Sequence, residues 1–348
     1  LRSFIYKGKE LEMKMQFSGE KFLWMVLAVF LFGWDLATAG EQKAEEKKEQ
    51  LVWDAGTVQL EMEKLANGVY AYHPTDAKDK NPKGYPVATS GGFVVGDKGV
   101  LVVESMVNKR LADQVIEFVK KVTDKPILYV VNTSYHGDHA YGNYAFPKTA
   151  KIIQHSKTKA FMENKEAFEA DKKFMTQYFG ANRGIEDAVA RTADIIVDDK
   201  KTIDLGNKKV EIMHLGFAQT EGDLFVWVPG DKVFWTGNPV VAMPPALPWL
   251  LDGKHEEVLA TMKKVRRFLP GDAIVVPGHG IPIKPKDIEF KIRYLETLHQ
   301  EVKNAVGQGL TLEQAQKSIT MKEFQGYALW GWVHSGVNVP NTYKDLSK

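Results

Sequence analysis

Two histidines and a carboxylate fall within four residues, His136-Gly137-Asp138-His139, directly after the apolar run Ile127-Leu128-Tyr129-Val130-Val131. Residues two apart in an extended loop point to the same side, so His136 and Asp138 face one centre, and His139 reaches it as the chain turns at Gly137. Imidazole nitrogen and carboxylate oxygen are the ligands Zn(II) takes where no thiolate is available. The chain contains no cysteine, so disulfide frameworks, thiolate metal sites and cysteine nucleophiles are all excluded. A second apolar run, Ile274-Val275-Val276-Pro277, delivers His279 between Gly278 and Gly280. A shared centre requires the ends of these two runs to meet.

The elements that must position these residues follow from periodicity. Val58, Leu60 and Met62 alternate with polar residues, Asn67-Gly68 is a hairpin pair, and Val69 to Tyr72 forms the return strand. Residues 74 to 90 read as a long loop with no structure of its own, the kind that is often functional. Strands at 92–95 and 100–103 flank a Gly-Asp-Lys-Gly turn. Asn108 caps a helix striped by Leu111, Val115, Phe118, Val119 and Val122, and the Ile127 strand then feeds the histidine loop. A strand at 151–153 and one helix over 156–179 follow, before strands from 193 to 237 that include a hairpin across Pro229-Gly230-Asp231. An apolar, proline-rich loop runs from Pro239 to Leu251. A helix ending at Pro270, the Ile274 strand, a long helix striped by Ile288, Ile292, Leu295, His299, Val302 and Val306, and a short helix with a Thr311/Gln314 capping box complete the chain. Two blocks of strands, each followed by helices, make a layered α/β protein. His214 and His299 read as packed histidines, and His73, His155, His255 and His334 show no convergent partners.

In order, the segments Ser134-Tyr135-His136-Gly137-Asp138-His139, Gly216-Phe217-Ala218-Gln219-Thr220-Glu221-Gly222-Asp223, Trp235-Thr236-Gly237-Asn238 and Val275-Val276-Pro277-Gly278-His279-Gly280 resemble the landmarks of the metallo-β-lactamase superfamily, whose usual loop is H-x-H-x-D-H. The resemblance covers roughly residues 57 to 300. It implies a four-layer αββα sandwich with the site at one rim. It also maps the ligands. Ser134, His136 and Gln219 stand where the family holds one zinc, so two of those three strong ligands are missing. Asp138, His139 and His279 stand where it holds the other, and all three are kept. Asn238 replaces a carboxylate or cysteine that often bridges the metals.

The resemblance therefore implies a single zinc on Asp138, His139 and His279, with the open coordination that makes hydroxide available at neutral pH. His136, free of metal, becomes a general base or orients the attacking water, with Ser134 or Gln219 fixing its tautomer. Asn238 lends an oxygen to the metal or polarises a substrate carbonyl. Tyr135 and Tyr141, which flank the ligands, and Met243, Leu247, Trp249 and Leu250 in the loop after Asn238 suggest an apolar lip, and Thr220 and Asp223 organise a turn. The expected protein is a metallo-hydrolase that uses zinc-bound hydroxide on an ester, lactone, lactam or similar bond. The alternative, motivated by Ser134, Gln219 and Asn238, is a catalytically inactive ligand-binding protein on the same scaffold.

The remaining composition bounds partners and location. A 348-residue chain with 44% hydrophobic residues buries a sizeable core, and a net charge of +2 gives no footprint for a nucleic-acid partner. A small-molecule substrate is the expected partner, and the apolar lip suggests one of apolar character. Lys14 and Lys21, the apolar run Phe22 to Phe32 and the Ala37-Thr38-Ala39 site read as a signal peptide that starts at Met13 or Met15. This predicts a periplasmic or secreted protein with no stable membrane anchor after cleavage, since the run is shorter than the roughly 20 residues that span a bilayer. The expected organisation is upstream residues and signal peptide over 1–39, a charged linker over 40–50, and over 51–348 one domain with a helical C-terminal extension.

Overall fold

The computed structural model describes residues 51–347. The signal-peptide and linker readings lie outside the described residues. In chain order the elements are β1 (Leu60–Ala66), β2 (Val69–Pro74), α1 (Ala77–Lys80), β3 (Gly91–Val95), β4 (Val100–Val103), α2 (Lys109–Val122), β5 (Ile127–Val131), α3 (Gly137–Ala140), β6 (Lys151–Gln154), α4 (Ser156–Glu163) and α5 (Lys165–Phe179). They continue with β7 (Ile195–Ile196), β8 (Lys200–Asp204), β9 (Lys209–Met213), β10 (Phe225–Val228), β11 (Val233–Gly237), α6 (His255–Phe268), β12 (Ile274–Pro277), α7 (Pro285–Gly307), α8 (Leu312–Ser318) and α9 (Val339–Leu346).

Period-two alternation sorts the strand side chains into two faces and thereby builds the layers. One sheet runs β1-β2-β3-β4-β5-β6-β7 and the other β12-β11-β10-β9-β8. Along β4, Val100 and Val102 join the apolar cluster under α2 and α5, whereas Leu101 and Val103 join the cluster between the sheets. Along β10, Val226 and Val228 face that middle cluster, whereas Phe225 and Trp227 join the cluster under α6 and α7. Three apolar layers separated by two sheets are an αββα sandwich. The parallel pairs β4·β5 and β11·β12 send their carboxyl ends toward the residues of interest, since Glu104 follows β4, the histidine loop follows β5, Asn238 follows β11 and His279 follows β12.

Three expectations about local structure need correction. Residues 74 to 90 are not without structure, because α1 and a 3₁₀ turn at Asn81–Lys83 lie within them. The helix expected over 156–179 is two helices: the side chain of Asn164 accepts from the amides of Glu166 and Ala167 and starts α5 afresh. The segment after His136 is not extended but forms the single helical turn α3. Among the packed histidines, His299 is not fully enclosed; it is half-buried and lines a surface cavity of about 360 Å³ with Glu256, Lys263 and Glu296.

Candidate metal centre

The turn α3 is held in place by buried polar groups beneath it. The Asn132 side chain donates to the carbonyl of His139 (3.0 Å), the amide of Ser105 donates to the same carbonyl (2.9 Å), and the Tyr141 hydroxyl donates to Asp171 (2.6 Å). From the other sheet, Gly237 must approach closely. Its φ of 59° is left-handed, and a Cβ there would strike the Thr133 hydroxyl. The amide of Ser90 donates to the carbonyl of Gly278 (2.7 Å), which fastens the 84–90 loop to the His279 turn.

Asp138, His139 and His279 converge: one ligand atom from each lies within 4.8 Å of the others. Nε2 of His139 and Nε2 of His279 are each 3.4 Å from the same oxygen, Oδ2 of Asp138. Tetrahedral coordination with bonds of about 2.0–2.2 Å places neighbouring ligand atoms about 3.3–3.6 Å apart. Nδ1 of His279 lies 3.1 Å from the carbonyl of Val87, and that acceptor places the ring proton on Nδ1. Nδ1 of His139 is in an ion-pair contact with Glu104 at 3.1 Å. Both rings thus turn Nε2 toward the centre, with Nδ1 engaged by an oxygen behind, as metal-ligating histidines do. The Thr89 hydroxyl donates to Asp138 Oδ2 (2.6 Å). This donor set fits a divalent cation of the zinc type.

The electrostatics agree. Burial opposes the charged form of His139, but the carboxylates of Asp138 and Glu104 outweigh it and raise its pKa to about 9. Burial also opposes ionisation of Asp138, yet the facing His139 and His279 hold its pKa below the usual carboxylate value. His279 goes the other way, since burial lowers it to about 4 despite Asp138. A proton on His139 is the positive charge that this carboxylate-rich pocket gathers, and a metal ion competes for the same place.

His136 does not face that centre with its Nδ1. This atom is 3.0 Å from the side-chain nitrogen of Asn238, whose oxygen is 3.0 Å from His139 Nε2. Asn238 therefore bridges the two histidines. Burial lowers the His136 pKa to about 4, so the ring is neutral at pH 7. With Nδ1 accepting from Asn238, its proton sits on Nε2. The expectation that Ser134 or Gln219 fixes this tautomer is corrected. The Ser134 hydroxyl instead accepts from the backbone amide of His136 (3.4 Å), and among the described residues both side-chain amide atoms of Gln219 are buried without a partner. Tyr135 packs its ring on Phe161 (3.8 Å between centroids) and lies edge-on to His136 (5.0 Å). The Asp223 carboxylate accepts from the amides of Gln219 and Thr220 and from the Thr220 hydroxyl, and shapes the turn before β10.

Residues 84–279 match the family model described as the metallo-beta-lactamase superfamily. The chain belongs to the metallo-β-lactamase superfamily. It is 25% identical over 248 residues to a metallo-beta-lactamase type 2 of Bacillus sp. (strain 170), covering 70% of this chain and 86% of that protein. A metallo-beta-lactamase type 2 of Bacillus cereus is 25% identical over 198 residues, 57% of this chain and 69% of the relative. Among solved structures, a metallo-beta-lactamase from Pontibacter korlensis superposes with a TM-score of 0.53 at 16% identity, covering 68% of this chain and 99% of that one. The sec-alkylsulfatase Pisa1 from Pseudomonas sp. gives 0.63 at 15% identity, covering 82% of this chain and 50% of that one. These likenesses establish the αββα fold of the superfamily, and membership in it supports a metallo-hydrolase type of function. Two residues of this superfamily member escaped sequence reasoning. Glu104 had a signal, a lone carboxylate ending the apolar strand 100–103; Thr89 sits in a polar loop and had none.

Proposed function

We propose that the chain is an exported, mono-zinc hydrolase acting on an ester, lactone, lactam or similar bond of a small, apolar-sided substrate. The observation that carries the reading is the braced trio, two Nε2 atoms 3.4 Å from one Asp138 oxygen with an oxygen behind each Nδ1. Asp138, His139 and His279 would hold the ion, which when bound supplies Lewis acidity and nucleophilic hydroxide at neutral pH. The residues around it do the rest. Asp138 stays ionised and is oriented by the Thr89 hydroxyl. His136, neutral and with Nδ1 taken by Asn238, offers Nε2–H to orient the attacking water or the substrate oxygen. Glu104 fixes the His139 ring from behind, and Asn238, whose side-chain nitrogen holds His136, would set its oxygen beside the ion rather than bond to His139. A periplasmic or secreted location is part of the proposal and rests on the signal-like residues 1–39; no described helix is long and apolar enough to cross a membrane.

Metal analysis of the purified protein tests this directly. About one zinc per chain, with chelator-sensitive turnover in an ester and lactone panel, is the expected result. No bound zinc, iron or manganese after gentle purification, and none gained on reconstitution, sinks it in favour of a non-catalytic binding protein.

A further inference from the structure

The family match ends at His279, yet the chain continues through α7, α8 and α9, and this extension reaches back to the metal centre. The contact runs through the loop after β11. The Trp249 ring lies 6.5 Å from the His279 ring with the planes 19° apart, and Trp332 meets Trp249 edge-on at 5.0 Å and 79°. Both indoles are half-buried, so each keeps part of its surface open, Trp249 next to His279 and Trp332 next to Trp249.

The loop that carries Trp249 is fastened by the extension on both sides of that residue. The Nζ of Lys291, on α7, donates to the carbonyl of Ala246. The side chain of Asn338 donates to the carbonyl of Pro248 (2.8 Å) and accepts from the amide of Leu250 (2.9 Å). Asn341 donates to the carbonyl of Leu250 (2.6 Å). All three side chains are buried, and burying such groups is unfavourable unless they are satisfied. Each finds backbone partners in this one short loop, and Asn338 donates also to the Tyr294 hydroxyl of α7 (3.0 Å). Trp332 itself stands in a π-helix, Gly331–Asn338. That conformation is rare, and where it occurs it is frequently at a functional site. Both indoles pack against the helical-layer core and meet edge to face, with part of each ring surface left uncovered.

We infer that the C-terminal extension completes the substrate site, with Trp249 and Trp332 forming a subsite for an aryl group of the substrate beside His279. The inference rests on the hydrolase reading for the identity of the neighbouring centre, but the subsite binds its ligand without turnover. Aromatic groups favour edge-to-face and offset contacts with indole over contacts with a flexible alkyl chain. Trp332 and Trp249 are the specificity-determining residues, and Lys291, Asn338 and Asn341 are positioning residues.

The test uses 2-naphthoate and octanoate as probes, titrated calorimetrically into the full chain, both zinc-loaded and stripped with chelator. The shared carboxylate cancels contributions from the metal centre and leaves the aryl preference. Expected is tighter binding of 2-naphthoate, an affinity loss of about three- to tenfold for 2-naphthoate in Trp332→Ala with octanoate unchanged, and recovery to within about threefold in Trp332→Phe. Equal losses for both probes, or no loss for either, overturn the inference, because a structural role alone would not separate them. Aryl selectivity that persists in a protein with no zinc and no turnover supports the subsite while the hydrolase reading falls.

Discussion

The two halves of the site are built from opposite materials. Asp138, His139 and His279 rest among buried carboxylates, with Glu104 behind His139 and Asp171 beneath α3 through Tyr141. Ser134, Gln219, Asn238 and the neutral His136 make up the other half, and none of them carries a charge at pH 7. A pocket of buried anions is unfavourable until a cation joins it, whereas a pocket of amides and hydroxyls holds a neutral ligand without one. The proposal of a single ion rests on this difference: Ser134 and Gln219 stand in the second half where the family has two more imidazoles, and His136 is left there as a neutral ring.

The comparison breaks most sharply at a ligand. His279→Ala removes one of three donors, and zinc affinity, measured by competition with a chromophoric chelator, should fall on the order of 100- to 1000-fold with loss of turnover. A variant that retains stoichiometric zinc would show that the ion lies elsewhere. Glu104→Gln tests the support instead. The amide still accepts near Nδ1 but withdraws the negative charge, so affinity should drop by about 10- to 100-fold. Little change would mean that Glu104 serves the fold through Thr133, whose hydroxyl donates to it at 2.5 Å, rather than the metal half.

Asp171 probes the foundation through pH. Burial raises its pKa from 3.8 to about 7, although the Tyr141 hydroxyl that donates to it pulls the other way. Between those two values the folded state holds a proton that the unfolded chain has released, so stability falls as pH rises from about 4 to about 7. Asp171→Asn removes the ionisation but weakens the bond from Tyr141. The variant should be more stable than the parent by about 2 kcal/mol at pH 8 and no more stable at pH 4, as read from urea midpoints. An advantage independent of pH would place its origin outside this carboxyl.

Legibility in the sequence followed the range of the interaction. The strands, the Asn108 cap and the Thr311/Gln314 box were readable because alternation and capping are local, and the order of landmarks pointed to the four-layer arrangement. The break at Asn164 was missed because an Asn within a helical pattern is a cap only if its side chain turns back onto the next two amides. In the site, the residue types were legible but their pairings were not. That Asn238 rather than Gln219 reaches His136 depends on how β11 packs against β5 across the sandwich, a contact separated by 102 residues. The hold of Asn338 and Asn341 on the Trp249 loop is longer-range in sequence than any periodic pattern and left no trace in it.

The neutral half offers the smallest effect and the cleanest separation of the two. Among the described residues both amide atoms of Gln219 are buried without a partner, so the side chain is desolvated without a compensating bond. Its backbone amide, by contrast, donates to Asp223 at 2.5 Å, and that bond survives any change of side chain. Methionine has a similar length and no strong hydrogen-bonding group, so Gln219→Met keeps the turn and removes the penalty. The expected gain is about 1 kcal/mol of stability in urea, with zinc content unchanged. Loss of zinc in this variant would mean that Gln219 acts on the ion after all, and the division of the site into a charged half and a neutral half would fail.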